Sequence, residues 1–170
     1  VSINDSRFNS RLSEIFGVLR ESKFGSRLGV GDINGDGIDD LLASYVDQTR
    51  DFSEGFPVTV SEGSLAIIYG DSALQEQSGL LDELNFPVAP TKLVGISSRA
   101  FNSDTIASDI ATGDTNADGF DDIIVGHTYG NYSAGEVDYD HGNGGRTVTI
   151  LGTPTLPGQT MHFRCSTGGY

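Results

Sequence analysis

The sequence predicts an all-β protein built from two copies of a short-stranded repeat. Three observations favour this class: 23 glycines among 170 residues, short aliphatic or β-branched runs bounded by glycine, and a pattern that begins at Gly31 and recurs from Gly113. Frequent glycine indicates many tight turns. Self-similarity at a fixed period indicates a duplicated structural unit.

Three aligned segments define the repeat. They are residues 24–30, 31–42 and 63–70 in the first copy, and 106–112, 113–124 and 145–152 in the second. Because one offset aligns all three without a net gap, a coincidence of acidic turns does not account for the match. We expect a first unit at residues 24–105 and a second at 106–170 that includes a C-terminal strand segment. The N-terminal segment 1–23 is expected to supply a strand to a neighbouring unit.

Each unit is expected to contain about four short antiparallel strands. The predicted strands are 26–30, 40–45, 65–69 and 91–94 in the first unit, and 108–112, 122–127, 147–151 and 161–164 in the second. Segment 12–19 is a candidate for one more strand. The polar stretches 46–62 and 128–144 are expected to be long loops, which in compact domains are usually functional or mobile.

The charge of the chain limits its partners. The formal net charge is −14, from 24 acidic and 10 basic side chains. Such a surface repels phosphate backbones, so nucleic acid is not an expected partner. Hard divalent cations are the natural counter-charge because they prefer oxygen ligands. No stretch approaches the roughly 20 apolar residues of a membrane-spanning helix, so membrane insertion is not expected.

An acidic loop follows the first predicted strand of each unit and has the spacing of a calcium site. Positions 1, 3, 5 and 9 are Asp, Asn, Asp and Asp in both copies, with glycine at position 6. Calcium takes about six to eight oxygen ligands, the glycine permits a sharp turn, and the main-chain carbonyl at position 7 would complete the set. The predicted ligands are Asp32, Asn34, Asp36, Ile38 (carbonyl) and Asp40 in one loop, and Asp114, Asn116, Asp118, Phe120 (carbonyl) and Asp122 in the other.

Other interpretations of the loops are less favoured. Asp, Asn and Gly also favour tight turns without an ion, but identical ligand spacing in both copies favours ion binding. An EF-hand needs Glu at position 12, where this chain has Ala43 and Val125. Dockerin-type loops are disfavoured because a helix with a further acidic ligand normally follows. The adjacent Asp39 and Asp121 are expected to bond nearby backbone.

Together, the pair Phe24-Gly25, the loop from Gly31 to Leu42 and the strand from Gly63 to Gly70 resemble the FG-GAP repeat. That family includes the blades of integrin α-subunit β-propellers and many microbial secreted proteins. The resemblance covers residues of about 24–95 and 106–152. It implies β-propeller-type blades, an extracellular setting and two bound Ca²⁺ ions on the ligands named above. The second copy departs from the pattern, since Ile106-Ala107 replaces the Phe-Gly pair.

Two blades do not make a ring, since propellers need about four to eight. We therefore expect an incomplete propeller, or one completed by other chains. An open blade pair leaves edge strands and apolar faces exposed. The segments before Phe24 and after Gly152 are accordingly expected to pair with other protein chains, with self-association as the leading case.

The expected function is a non-catalytic, calcium-binding extracellular module for adhesion or protein assembly, with protein, glycan or cell-surface ligands implied by the resemblance. Two alternatives stay open: a structural subunit of an extracellular filament or oligomer, and the non-catalytic propeller part of a secreted hydrolase. No nucleophile elbow or phosphate-binding glycine pattern indicates an enzyme. Sequons at Asn4 and Asn131 suggest a glycoprotein, and the lone Cys165 builds neither an intramolecular disulfide nor a zinc site.

Overall fold

The computed structural model describes residues 13–20, 22–51, 58–71, 74, 78–94, 109–127 and 146–162. Regular structure in these ranges is almost entirely β, which confirms the predicted class. Among these residues no helix has the length and apolar character needed to cross a membrane. The predicted loop 128–144, both sequons and Cys165 lie outside the described residues.

The described ranges form ten strands in three sheets. The strands are β1 (Glu14–Phe16), β2 (Leu28–Gly31), β3 (Asp40–Asp51), β4 (Val58–Ile68), β5 (Ser78–Leu80), β6 (Thr91–Val94), β7 (Asp109–Gly113), β8 (Asp122–His127), β9 (Arg146–Ile150) and β10 (Thr160–His162). The sheet orders are β1-β5, β10-β6-β4-β3-β2 and β7-β8-β9.

The repeat seen in the sequence is also a repeat of the structure. Strands β2, β3 and β4 form an antiparallel meander, and β7, β8 and β9 form the equivalent one. Gly31 pairs with Asp40 at the base of the first hairpin, and Gly113 pairs with Asp122 in the second. Strand β6 adds antiparallel to β4 as the fourth strand of the first unit. The architecture is consistent with propeller-type blades.

The prediction of a long loop at residues 46–62 is wrong. Strand β3 continues to Asp51 and β4 begins at Val58, and the two pair without a break from Val46↔Gly63 to Asp51↔Val58. An antiparallel ladder is held by main-chain hydrogen bonds, so it extends through polar residues that give no core-facing signal. The hydrophobic pattern therefore marked only part of this hairpin.

The segments on either side of the repeat pair within the chain. Strand β1 lies parallel to β5, and β10 lies parallel to β6 with Met161 opposite Leu93. Pairing of these segments with other chains stays a prediction. The main chain also joins β10 to the first unit, because the N–H of Gly158 donates to the carbonyl of Ala89 at 2.9 Å. Strand β10 thereby covers the β6 edge, which would otherwise be open.

The hydrophobic core spans both units. It combines first-unit residues such as Leu42 and Ile67 with second-unit residues such as Ile123 and Val125, all fully buried. Burying each of these side chains contributes roughly 1.5–3 kcal/mol. The two units are therefore stabilised by one shared core.

Tyr69 connects this core to the segment before β10. Its hydroxyl lies 2.8 Å from Thr91 Oγ1, and the Thr91 hydroxyl donates to the carbonyl of Leu156. Burial raises the pKa of Tyr69 to about 12; the Thr91 hydrogen bond opposes this shift, and the charge of Asp40 adds to it.

The substitution Tyr69→Phe should lower the free energy of unfolding by about 1 kcal/mol near neutral pH, through loss of the hydrogen bond. An unfolded tyrosine ionises near pH 10, so the raised pKa of Tyr69 stabilises the fold below that pH. That contribution is lost as the pH rises from about 10 to 12. The wild-type advantage over Tyr69→Phe in urea unfolding should therefore shrink over this range. An advantage that stays constant with pH would contradict the assignment.

Candidate metal centre

Each acidic loop connects the first two strands of its unit. The first joins β2 to β3 and the second joins β7 to β8, and the glycine–aspartate pairs at the hairpin bases hold positions 1 and 9 close together. Both loops thus occupy the same place in the repeat. The geometry of each loop follows from its own hydrogen bonds.

In the first loop the carboxylate of Asp32 organises the turn. Its Oδ1 accepts the N–H groups of Gly35 at 2.8 Å and Asp36 at 3.0 Å, and its Oδ2 accepts the N–H of Gly37 at 2.8 Å. Gly35 and Gly37 have φ of 75° and 86°, in the left-handed region that favours glycine. The loop therefore wraps around the carboxylate at position 1.

The side chains at positions 3 and 5 contact each other in the same loop. Asn34 Nδ2 donates to Asp36 Oδ2 at 2.9 Å, and Asn34 Oδ1 accepts the N–H of Asp36 at 3.0 Å. Asp36 Oδ1 accepts the N–H of Ile38 at 2.9 Å. The structure thus brings together the predicted ligands at positions 1, 3 and 5 on an exposed loop.

The second loop repeats these interactions. Asp114 accepts the N–H groups of Asp118 at 3.1 Å and Gly119 at 3.0 Å. Asn116 Nδ2 donates to Asp118 Oδ2 at 2.8 Å, and Asp118 Oδ1 accepts the N–H of Phe120 at 3.0 Å. The two loops therefore share their conformation as well as their sequence pattern.

The carboxylates at position 9 are buried and point to the backbone. Asp40 is 0% exposed, and its oxygens accept the N–H of Ile33 at 3.0 Å and of Gly70 at 2.9 Å. Asp122 is also 0% exposed and accepts the N–H of Thr115 at 3.1 Å and of Gly152 at 3.0 Å. Position 9 thus ties the start of the loop to the end of the third strand.

Sequence reasoning missed this anchoring role, although a signal was present. A glycine ends the third aligned segment in both copies, as Gly70 and Gly152. A Cβ atom on Gly70 would lie 2.3 Å from the carbonyl oxygen of Asp39, and one on Gly152 would lie 2.4 Å from that of Asp121. These glycines are needed because the loop backbone passes directly over them.

The pKa values of the two anchors are shifted in opposite directions. Burial raises the pKa of Asp40 above its ordinary value, and the nearby charge of Asp36 raises it further. The hydrogen bonds from the N–H groups of Gly70 and Ile33 oppose this by lowering the pKa. The pKa of Asp122 is lowered, chiefly by a hydrogen bond from the Thr115 hydroxyl. The first copy has Ile33 in the place of Thr115, so it lacks this hydroxyl donor.

The two loops also contact each other. Asp121 and Asp32 exchange two hydrogen bonds: the N–H of Asp121 donates to the Asp32 carbonyl at 2.9 Å, and Asp121 Oδ2 accepts the N–H of Asp32 at 3.1 Å. Asp121 therefore bonds backbone as expected, but in the other unit. Its equivalent Asp39 is exposed.

The donor set fits a hard cation, since each loop gathers two carboxylates and an amide oxygen. Within the described ranges, no group of three or more His, Cys, Asp or Glu side chains has the arrangement of a metal site. At position 9, Asp40 and Asp122 direct both oxygens to main-chain donors. A carboxylate has about four lone-pair sites, so these contacts leave acceptor capacity, and the ten ligand positions stay a prediction.

Residues 24–48 match the model of the FG-GAP repeat family. The matched segment includes β2, the first acidic loop and most of β3, and it confirms the resemblance found from the sequence. No curated protein matches the chain. Over these residues the match indicates a repeat of the β-propeller type, from a family whose repeats are commonly extracellular.

Replacing Asp40 by alanine should destabilise the protein without any involvement of a metal. The substitution leaves the buried N–H groups of Ile33 and Gly70 without an acceptor, which should cost about 2–4 kcal/mol. The free energy of unfolding should be measured by urea titration with EDTA present. The matched control is Asp39→Ala at the exposed neighbouring position, expected to change stability by at most about 0.5 kcal/mol. Equal losses in the two variants would contradict the anchoring role.

A second pair of variants tests the packing between the loops. Gly35→Ala and Gly37→Ala both place a methyl group on a left-handed residue. Only at Gly35 would the new Cβ meet a neighbour, Phe120 Cε1 at 2.3 Å, whereas nothing lies within 4 Å at Gly37. We expect Gly35→Ala to cost about 1–3 kcal/mol more than Gly37→Ala.

Adding Phe120→Ala should remove the excess cost of Gly35→Ala, because the ring is the obstacle. Urea unfolding of both single glycine variants, each with and without Phe120→Ala, measures this coupling. An excess that persists without the ring would show that Phe120 is not its cause.

Proposed function

We propose that this chain is a calcium-binding, non-catalytic extracellular module for adhesion or protein assembly. The observation that carries the proposal is the occurrence of two equivalent loops with the same ligand spacing and the same internal hydrogen bonds. Each loop carries three carboxylates among its predicted ligands, within nine positions. Their hydrogen bonds to the backbone shape the turn, and a bound cation would offset the repulsion between their charges.

In the first loop the ion would be held by Asp32, Asn34, Asp36, the Ile38 carbonyl and Asp40. In the second it would be held by Asp114, Asn116, Asp118, the Phe120 carbonyl and Asp122. The bound ion supplies positive charge among carboxylates that otherwise repel one another. The hydrogen bonds that bring Asp32, Asn34 and Asp36 together support this.

The remaining parts of the proposal rest on charge and family. A net charge of −14 suits a protein that takes up divalent cations. FG-GAP repeats are typically extracellular, which supports a secreted location and partners among other protein chains, glycans or cell-surface ligands. A structural subunit of an extracellular filament or oligomer is a second candidate, favoured by exposed apolar residues on β2.

Calcium binding is tested by thermal unfolding in EDTA and in calcium, together with calorimetric titration. With a dissociation constant of about 10⁻⁴–10⁻³ M, typical of extracellular modules, about 10 mM calcium should add roughly 1.4–2.7 kcal/mol per site. The double variant Asp36→Ala/Asp118→Ala should lose most of this gain, whereas the control Asp39→Ala should retain it. Titration should give two sites in the wild type. Identical melting curves in EDTA and calcium would overturn the proposal.

A further inference from the structure

The two units meet through faces of different composition. On β2, Gly29 and Gly31 lie against β7: a Cβ on Gly29 would be 2.9 Å from Ile110 Cγ2, and one on Gly31 would be 2.9 Å from Thr112 Cβ. In the loops, Phe120 covers Gly35. Ile110 is only 8% exposed as a result. Large side chains of the second unit thus fill space left by glycines of the first.

We name these two faces by their parts in the contact. The inserting face belongs to the second unit and consists of Ile110, Thr112, Phe120 and Asp121. The receiving face belongs to the first unit and consists of Gly29, Gly31, Asp32 and Gly35. Because the interacting faces differ, the contact is directional and can be repeated head to tail.

Because the two units are copies of one repeat, each unit also has a counterpart of the face that the other unit contributes to the contact. At the offset that relates Gly31 to Gly113, the first unit has a second inserting face made of Leu28, Val30, Ile38 and Asp39. The second unit has a second receiving face made of Ala111, Gly113, Asp114 and Ala117. Among the contacts between the units described above, these sets take part only through the main chain of Val30, whose carbonyl accepts the Thr112 hydroxyl.

The second inserting face is apolar and exposed. Leu28 is 59% exposed, Val30 55% and Ile38 49%, in contrast to the 8% of Ile110. Leu28 and Val30 point away from the second unit because Gly29 and Gly31, which alternate with them along β2, face it. Leu28 and Val30 lie on the same side of β2, and exposed aliphatic side chains grouped on one side of an acidic protein indicate an interaction surface.

The side-chain sizes on the two unused faces complement each other. A Cβ on Gly29 would meet the Cγ2 atom of Ile110. On the unused faces Ala111 stands in the place of Gly29, and Leu28, which has no Cγ2 atom, stands in the place of Ile110. Gly35 lies under the ring of Phe120. On the unused faces Ala117 stands in the place of Gly35, and the smaller Ile38 stands in the place of Phe120. In both cases the residue on the unused receiving face is larger than its counterpart in the contact between the units. The residue on the unused inserting face is smaller than its counterpart or branched differently.

We propose that a second copy of this chain docks head to tail, its second inserting face on the second receiving face of the first copy. Asp39 of one copy would accept the N–H of Asp114 in the next, as Asp121 accepts that of Asp32 within the chain. Successive copies would form a ring or a filament. The proposal deepens the assembly role proposed above, and it does not depend on calcium binding.

The test uses one variant on each face, both at exposed positions. Leu28→Asp disables the inserting face and Ala111→Asp the receiving face, while Val18→Asp, at an exposed apolar residue outside both faces, is the control. Val30→Asp serves as a second inserting-face variant should Leu28→Asp fold poorly. Sedimentation velocity and native mass spectrometry are run over a concentration series at about 0.15 M salt or above, where screening limits repulsion between the acidic copies.

The wild type and Val18→Asp should form dimers and larger species with rising concentration. Each face variant alone should associate at least about tenfold more weakly. An equimolar mixture of Leu28→Asp and Ala111→Asp should form a 1:1 heterodimer and nothing larger, since it contains one intact pair of faces.

Three results would overturn the proposal. A wild type that stays monomeric up to about 1 mM would exclude a second copy as the partner. Association lost in Leu28→Asp but kept in Ala111→Asp would indicate a symmetric contact. Face variants that remain monomeric when mixed would exclude head-to-tail docking. A calcium-induced rise in the melting temperature of a monomeric protein would leave the calcium proposal standing, so the two can fail separately.

Discussion

The structure depends on a buried carboxylate at the end of each acidic loop. Asp40 and Asp122 accept main-chain N–H groups from the start of the loop and from the glycine after the third strand. One side chain thereby fixes a turn and two strand ends. Removing a buried acceptor leaves its N–H donors without a hydrogen-bond partner. The conformation of the loop and the packing of the sheet are therefore coupled. Positions 1, 3 and 5 are arranged by the loop's own hydrogen bonds, and the buried carboxylate ties that loop to the end of the third strand.

Sequence reasoning was strongest where the repeat constrained it. The constant offset between the two copies located the equivalent strands and loops, because a pattern that occurs at the same place in both copies indicates the same structural element. It was weakest where main-chain pairing decides the outcome. The β3–β4 hairpin extends well beyond the predicted strands 40–45 and 65–69, and the parallel pairing of β10 with β6 has no local signal. Neither depends on a hydrophobic pattern that a single segment could display.

The candidate site shows the same division. Converging Asp32, Asn34 and Asp36 could be predicted, since their spacing fixes a local turn. The link from Asp121 to Asp32 could not, because it joins residues 89 positions apart. Contacts between the units depend on how the two sheets pack. The sequence signal for them was a set of positions at which the two copies have residues of different size. Glycine at position 35 against alanine at 117 becomes informative only when Phe120 is seen above the glycine.

The position of β10 has a consequence for biosynthesis. The sheet of the first unit is complete only when Thr160–His162 lies beside β6, and the whole β7-β8-β9 meander separates these two strands in the chain. A ribosome releasing the chain in order would present strands β2, β3, β4 and β6 with the β6 edge uncovered until the second unit had emerged. Long-range pairings of this kind form late and slow folding. The nascent first unit would therefore gain from a chaperone, or from rapid translation of the second unit.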